Sequence, residues 1–280
     1  MVKEKAYAKI NLFLNVVNKR LDGYHDLEMV MASLKLHDVL SFQLTEENDI
    51  ELEINTEITP SPKHNIVYKV ASFLQEEFAI SKGVKIKLEK NIPLSAGLAG
   101  GSADAAATFR GLNKLWNLNL SLSDMAKLGE GFGADIPFCI YNKLCVAKGK
   151  GHELAFINQK FKTNVVLVNP NVPMSTKLVF DTLTEEDLVF KKISDMILGI
   201  SDKNYDLVIR ELHNSLEKIS FEIEPKVRTI KNQMIDWGLD GALMCGSGAT
   251  VFGLARKKNK LVEYSKTVPD EYTTIITKLR

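Results

Sequence analysis

The sequence predicts a two-domain α+β protein, and three observations carry that prediction. Strand-period alternation dominates residues 6–54. A strand, a glycine-rich loop and an alanine-rich helix then follow one another from Val84 to beyond Ser102. The 280 residues also exceed the ~100–200 typical of one domain.

Taking the elements in order, Ile10, Leu12, Leu14 and Val16 share one parity and Lys9, Asn11, Phe13 and Asn15 the other, the period of a half-buried strand. Lys9 and Asn11 then point the same way, off the aliphatic side. Leu21-Asp-Gly-Tyr-His carries a turn signal and leads into strand-like runs near 27–36, 39–45 and 50–54. Residues 66–78 place apolar side chains at helical spacing, and Val84, Ile86 and Leu88 alternate as a strand. The loop 91–101 opens the alanine-rich helix, in which Asp104 reads as a favourable first-turn charge. A short helix near 124–130 precedes Gly133-Ala-Asp-Ile-Pro-Phe, and 145–148 with 152–156 read as a hairpin around Gly149-Lys-Gly. Residues 165–168 read as the first strand of a second domain, giving domains 1–160 and 161–280. Helices are expected over 205–217 and 225–237, the second with Pro225 near its start and Gly238 just past its end. Residues 243–245 and 250–255 read as strands around a tight glycine turn.

Composition excludes several classes. At 45% hydrophobic and 25% charged residues the chain matches an ordinary globular protein rather than a disordered one. With 36 basic against 35 acidic residues no broad field exists to collect nucleic acid or coat a membrane, so an anionic ligand must be held by local groups. Cys139, Cys145 and Cys245 form no CxxC pair and leave an odd thiol, which predicts a reducing, cytoplasmic setting. No stretch approaches the ~18 apolar residues of a spanning helix, and the charged N-terminus lacks a signal-peptide pattern. His37, His64, His152 and His213 stand far apart without ligand-spaced partners, which argues against bound zinc.

The chemistry concentrates at Asn91-Ile-Pro-Leu-Ser-Ala-Gly-Leu-Ala-Gly-Gly-Ser-Ala-Asp. Gly97, Gly100 and Gly101 let the backbone approach a ligand, and a following helix presents N–H groups and a partial positive charge suited to phosphate oxygens. On glycines alone, a turn that merely caps the helix with Ser102 reads equally well. Neither a Walker A loop nor the dinucleotide fingerprint opens this helix. No lysine lies between Pro93 and Phe109, so a cation for phosphate must come from elsewhere, and Lys9 is a candidate. Asp135, between Ala134 and Ile136-Pro-Phe, could accept a hydroxyl proton in phosphoryl transfer or cap a helix.

Ala6-Tyr-Ala-Lys-Ile-Asn-Leu-Phe-Leu, Pro93–Ala107, Gly133-Ala-Asp-Ile-Pro-Phe and Gly246-Ser-Gly-Ala-Thr resemble, in order, the motifs of the GHMP kinase superfamily. Four ordered motifs are far more specific than any one of them. With Asp22-Gly-Tyr-His, the opening resembles more narrowly the branch that phosphorylates the 2-hydroxyl of 4-diphosphocytidyl-2-C-methyl-D-erythritol in non-mevalonate isoprenoid synthesis. The resemblance implies a β-rich N-terminal domain like ribosomal protein S5 domain 2, a ferredoxin-like C-terminal domain, and an active site in the cleft between them. It implies a kinase using ATP and Mg2+, with Asp135 as base and Lys9 stabilising charge. Pro93, Leu94, Ser95, Ala96, Gly97, Leu98, Ala99, Gly100, Gly101, Ser102 and Ala103 would wrap the ATP phosphates. Asn11, Tyr24, His25, Thr176 and Phe180 would bind a small-molecule substrate bearing a cytidine diphosphate group, Tyr24 and Phe180 covering opposite faces of the base. Where relatives often carry Gly-Gly-Ser-Ser, this chain has Gly101-Ser-Ala, so position 103 offers only its backbone N–H. The competing readings are another GHMP enzyme, such as homoserine or mevalonate kinase or diphosphomevalonate decarboxylase, and a non-catalytic nucleotide or sugar sensor. Tyr24 and His25 argue against the first, and the presence of both Lys9 and Asp135 against the second.

Overall fold

The computed structural model describes residues 1–56 and 61–280. Two compact units emerge, each assembled from separated stretches of chain. The first comprises Met1–Ala8, Leu36–Ile92 and Ala99–Asn142, the second Lys9–Lys35, Pro93–Leu98 and Lys143–Arg280. Strands β1 (Val2–Lys19) and β2 (His25–Thr45) therefore each contribute to both.

In the first unit the second half of β2 pairs antiparallel with β4 (Gly83–Glu89), which pairs in parallel with β3 (Ile50–Ile54). Val84, Ile86 and Leu88 are buried as their alternation requires. Helix α1 (Ile66–Glu77) is started by Asn65, whose side-chain oxygen accepts from Val67 N at 2.9 Å, and buries Val67, Val70, Ala71 and Leu74. Helix α2 (Gly100–Leu115) is buried at Ala103, Ala105, Ala106 and Ala107, small side chains that let neighbours approach its axis. Gly111 takes this furthest, since a Cβ there would overlap the Phe42 ring. Helix α3 (Leu122–Glu130) opens with a Ser121/Asp124 capping box, and α4 (Ile136–Tyr141) has proline in its first turn.

In the second unit the first half of β2 pairs antiparallel with β5 (Cys145–Gly149), which forms the expected hairpin with β6 (Glu153–Phe156). Strand β7 (Asn164–Asn169) is followed by α5 (Thr176–Thr182), α6 (Ile193–Ser201) and α7 (Tyr205–Arg210). The two-residue strand β8 (His213–Asn214) runs parallel to β1. Then come α8 (Glu217–Ile223), α9 (Pro225–Asp236), β9 (Gly241–Met244), β10 (Val251–Ala255), α10 (Lys258–Ser265) and β11 (Thr273–Lys278). Strands β7, β9, β10 and β11 form an antiparallel sheet ordered β11-β7-β10-β9, the ferredoxin-like arrangement, with Val165 to Val168 and Val251 to Ala255 buried at its centre.

Three expectations change. Strand β1 is not half-buried: Ala8 to Val16 are buried on both faces, and the polar parity is satisfied by hydrogen bonds instead of water. Asn15 Nδ2, for instance, donates to Lys191 O at 2.7 Å. The runs near 27–36 and 39–45 are one strand, β2. The helix expected over 205–217 breaks at β8, because Asn214 Oδ1 accepts from Leu216 N at 3.0 Å and its amide donates to Met244 O and Gly246 O at 3.0 and 2.8 Å. Among the described residues no helix is long and apolar enough to cross a membrane.

Gly111→Ala is expected to destabilise the protein by about 1–3 kcal/mol through overpacking against Phe42. The urea midpoint measures this, and an unchanged midpoint would contradict the packing described.

Candidate active site

The turn between β9 and β10 is closed by two backbone bonds, Cys245 N to Thr250 O at 2.8 Å and Gly248 N to Cys245 O at 2.9 Å. Gly246 and Gly248 adopt φ of +54° and +95° within it, values that glycine accepts without strain. Asn214 anchors the turn through Gly246 O, and Ser220 Oγ donates to Ser247 O at 3.2 Å. Gly97 packs directly on this turn: its φ is +73°, and a Cβ there would overlap the Cys245 carbonyl oxygen. The next residue, Leu98, accepts from Lys9 N at 3.1 Å, tying the loop to β1.

Lys9 is 5% exposed. Its ammonium donates to Asn11 Oδ1 at 2.8 Å and lies 3.6 Å from where a Gly246 Cβ would sit. Asn11 Nδ2 in turn donates to Met29 Sδ at 3.2 Å. A cation is thus oriented by an amide and set beside the glycine turn, in surroundings where charge interactions are weakly screened. Burial pushes the neighbouring Cys245 thiol up to about 12, against the opposing effect of Lys9, which leaves it protonated at neutral pH.

In the first unit, α2 begins at Gly100 with Ala99 in the N-cap position at φ 55° and no side-chain cap. Ser102 lies inside the first turn and is not the cap, which removes the capping reading of its hydroxyl. The first-turn N–H groups of a helix lack intrahelical partners and point outward. Positive φ falls at Ser95, Gly97 and Ala99, not at Gly100 or Gly101. What glycine provides at 101 is space, since a Cβ there would meet nothing within 4 Å. Asp135 occupies the N-cap position of α4, but its carboxylate makes no capping bond. A Cβ at Gly133 would lie 3.9 Å from Ser102 Oγ, which sets the Asp135 turn beside the start of α2.

The cytidine candidates lie in the second unit. His25 is nearly buried, and its ring meets Phe180 at 5.1 Å between centroids, tilted 35°. Burial holds the His25 pKa below its ordinary value, helped by Lys19 and opposed by Asp181, so the imidazole is neutral at neutral pH. Tyr24 is 60% exposed, with the Lys150 ammonium over its ring at 4.2 Å, and Lys150 also pairs with Asp22 at 2.9 Å. Phe180 therefore faces His25 and Tyr24 faces Lys150. The hydroxyls of Thr176 and Ser247 are hydrogen-bonded at 2.8 Å, linking α5 to the glycine turn. Among the described residues no group of three or more His, Cys, Asp and Glu could hold a metal ion.

Sequence reasoning missed one cluster. Lys90, just past β4, pairs with Asp38 of β2 and with Asp104 of α2, the latter at 2.7 Å. Asp104 is not an exposed first-turn charge but a buried group. Burial raises its pKa to about 8, with Asp38 adding to the shift and Lys90 opposing it. Its folded-state pKa lies above the unfolded 3.8, so the stability this group contributes is full below about pH 4 and is lost as pH rises through about 8. Asp104→Asn is expected to flatten the fall of the urea midpoint over that interval, and parallel wild-type and variant profiles would contradict the protonated state.

Residues 65–143 match the family described as GHMP kinases N terminal domain, and residues 196–272 match GHMP kinases C terminal. A Staphylococcus epidermidis protein carrying the name "Putative 4-diphosphocytidyl-2-C-methyl-D-erythritol kinase" is 45% identical over 93% of this chain and 92% of its own. A Staphylococcus haemolyticus protein of the same name is 43% identical over 93% and 92%. Among solved structures, a 4-(cytidine 5'-diphospho)-2C-methyl-D-erythritol kinase aligns with TM-score 0.85 at 29% identity, covering 99% of both chains. A homoserine kinase from Cytophaga hutchinsonii aligns at 0.75 with 15% identity over 99% and 94%, a likeness of fold alone. An ATP-dependent kinase is the activity these relationships carry, and the chain belongs to the GHMP kinase family.

Proposed function

We propose that the protein transfers the γ-phosphoryl group of ATP to the 2-hydroxyl of 4-diphosphocytidyl-2-C-methyl-D-erythritol. The observation that carries this reading is the 45% identity, over nearly the whole of both chains, to a relative that bears the name of that kinase. In this reading the hydroxyl oxygen attacks the γ-phosphorus, its proton passes to the Asp135 carboxylate, and the bond to the bridging oxygen of ADP breaks. The place of the Asp135 turn beside the start of α2, where a Gly133 Cβ would lie 3.9 Å from Ser102 Oγ, supports that role. Lys9, oriented by Asn11, would stabilise charge that grows in the transition state. Residues 93–103 would receive the phosphates through backbone N–H groups, and the open space at Gly101 supports a close approach.

Mg2+ takes most of its ligands from phosphates and water, so few protein oxygens are required, and the Ser102 hydroxyl in the first turn of α2 is one that this chain offers. When bound, the ion would neutralise charge on the phosphoryl oxygens. For the substrate, Tyr24, His25 and Phe180 would hold the cytosine and Thr176 would contact the polar remainder; the half-buried Phe180 against a neutral His25 supports this assignment. A functional division into residues 1–160 and 161–280 belongs to the same proposal, supported by family matches on either side of that point. Three buried cysteines, none in a disulfide, fit a cytoplasmic setting.

The deciding experiment offers the cytidylyl substrate, mevalonate and homoserine side by side and measures ATP consumption. Turnover is expected on the first alone. Turnover on mevalonate or homoserine, with none on the cytidylyl compound, would overturn the substrate assignment. In the same assay Asp135→Asn is expected to lose about 10²–10⁴-fold in kcat with ATP affinity retained.

A further inference from the structure

The phosphate loop contains no lysine, yet one lysine is buried at its base. The Lys90 side chain is 5% exposed, and its two partners, Asp38 and Asp104, are 0% and 5% exposed. Asp38 Oδ2 accepts from the Lys90 ammonium, while Asp38 Oδ1 accepts from the backbone N–H of Asn91 and, at 2.8 Å, of Ile92. These are the last residues before the loop. On the far side of the loop, Asp104 in the second turn of α2 accepts from the same ammonium at 2.7 Å. The ammonium also lies 3.4 Å from where a Gly100 Cβ would sit, under the first turn of that helix. One buried cation therefore binds the chain where the loop leaves β4 and again where it joins α2.

Charge makes this arrangement informative. Two ionised carboxylates against one ammonium would leave a net negative charge beneath a helix N-terminus, where it would oppose an incoming phosphate. The second Asp104 oxygen is buried without a hydrogen-bond partner, as expected for a group kept neutral rather than anionic. With a proton on Asp104, the three side chains carry no net charge.

We infer that Lys90, Asp38 and Asp104 form a positioning cluster that holds both ends of the phosphate loop in register while presenting no negative charge to the nucleotide. The inference rests on the reading of residues 93–103 as the ATP phosphate site. None of the three residues touches the reacting atoms; they act through the loop.

The test uses the full chain and compares Asp104→Ala, Asp104→Asn and Gly101→Val. Amide hydrogen exchange over residues 91–104 reads loop order, calorimetric titration reads ATP affinity, and steady-state kinetics read the KM of the acceptor. Asp104→Ala is expected to speed exchange and weaken ATP binding by about tenfold each, with acceptor KM changed less than about twofold. Asp104→Asn keeps an acceptor for Lys90 and carries no charge, and is expected to restore both values. Where Asp104→Ala does not fold, Lys90→Gln takes its place with the same expectation. Wild-type exchange and ATP affinity in the truncated variant, alongside a Gly101→Val that loses ATP, would overturn the positioning role alone. A failure of Asp104→Asn to restore them would overturn the neutral-cluster account. Wild-type ATP affinity in Gly101→Val would overturn the phosphate reading and, with it, the nucleotide role of the cluster.

Discussion

The packing of Gly97 on the Cys245 carbonyl is the constraint on which the geometry around Lys9 in the second unit depends. Any side chain at 97 would have to displace backbone, and a φ of +73° makes the position strained for other residues as well. Because that contact is backbone on backbone, the loop arriving from Pro93 and the turn from Cys245 to Gly248 are set against each other with no flexible side chain between. Leu98, one residue on, then bonds to the Lys9 main chain. The catalytic candidate Lys9 is thereby indexed to the glycine loop through its own backbone, and its ammonium through Asn11.

The polar groups around this contact are buried and satisfied, which is how a strand such as β1 tolerates Lys9, Asn11 and Asn15 at its centre. Asn214 does comparable work on the other side, holding Met244 and Gly246 carbonyls and breaking what would otherwise be a continuous helix. Such networks cost stability when half-satisfied, so they concentrate where an exact geometry is needed. The first unit solves a similar problem differently. Its alanine-rich α2 is buried all round from Ala103 to Phe109 and is held near its start by the Lys90 cluster, with Ala99 at the cap making no side-chain bond.

Much of this was legible in the residues. The β5–β6 hairpin, helix α9 between Pro225 and Gly238, and the strand, glycine loop and helix around Gly100 follow from local turn and propensity signals. So does the pairing of Lys9 with Asn11 on one side of β1, because a period of two places them together. The family and its activity were legible from four ordered motifs. What local pattern could not reveal is partnership at a distance. Asp38 interrupts the apolar pattern of β2 because it bonds to Lys90, 52 residues away, and Lys90 to Asp104, 14 further on. The break after α7 likewise has its cause in the turn 30 residues beyond Asn214. The cytidine candidates were named from the sequence, but which ring faces which is set by the surroundings of His25 and Lys150.

The central proposal is that backbone N–H groups of the glycine loop, within residues 93–103, receive the nucleotide's phosphates. Titration of 15N-labelled protein with a non-hydrolysable ATP analogue tests it most directly, by reporting each amide separately. The account predicts the largest saturable shifts at the amides of residues 97–103, together with a perturbed Lys9 ammonium resonance. Saturable shifts confined to other residues, with these amides and Lys9 unmoved, would contradict it.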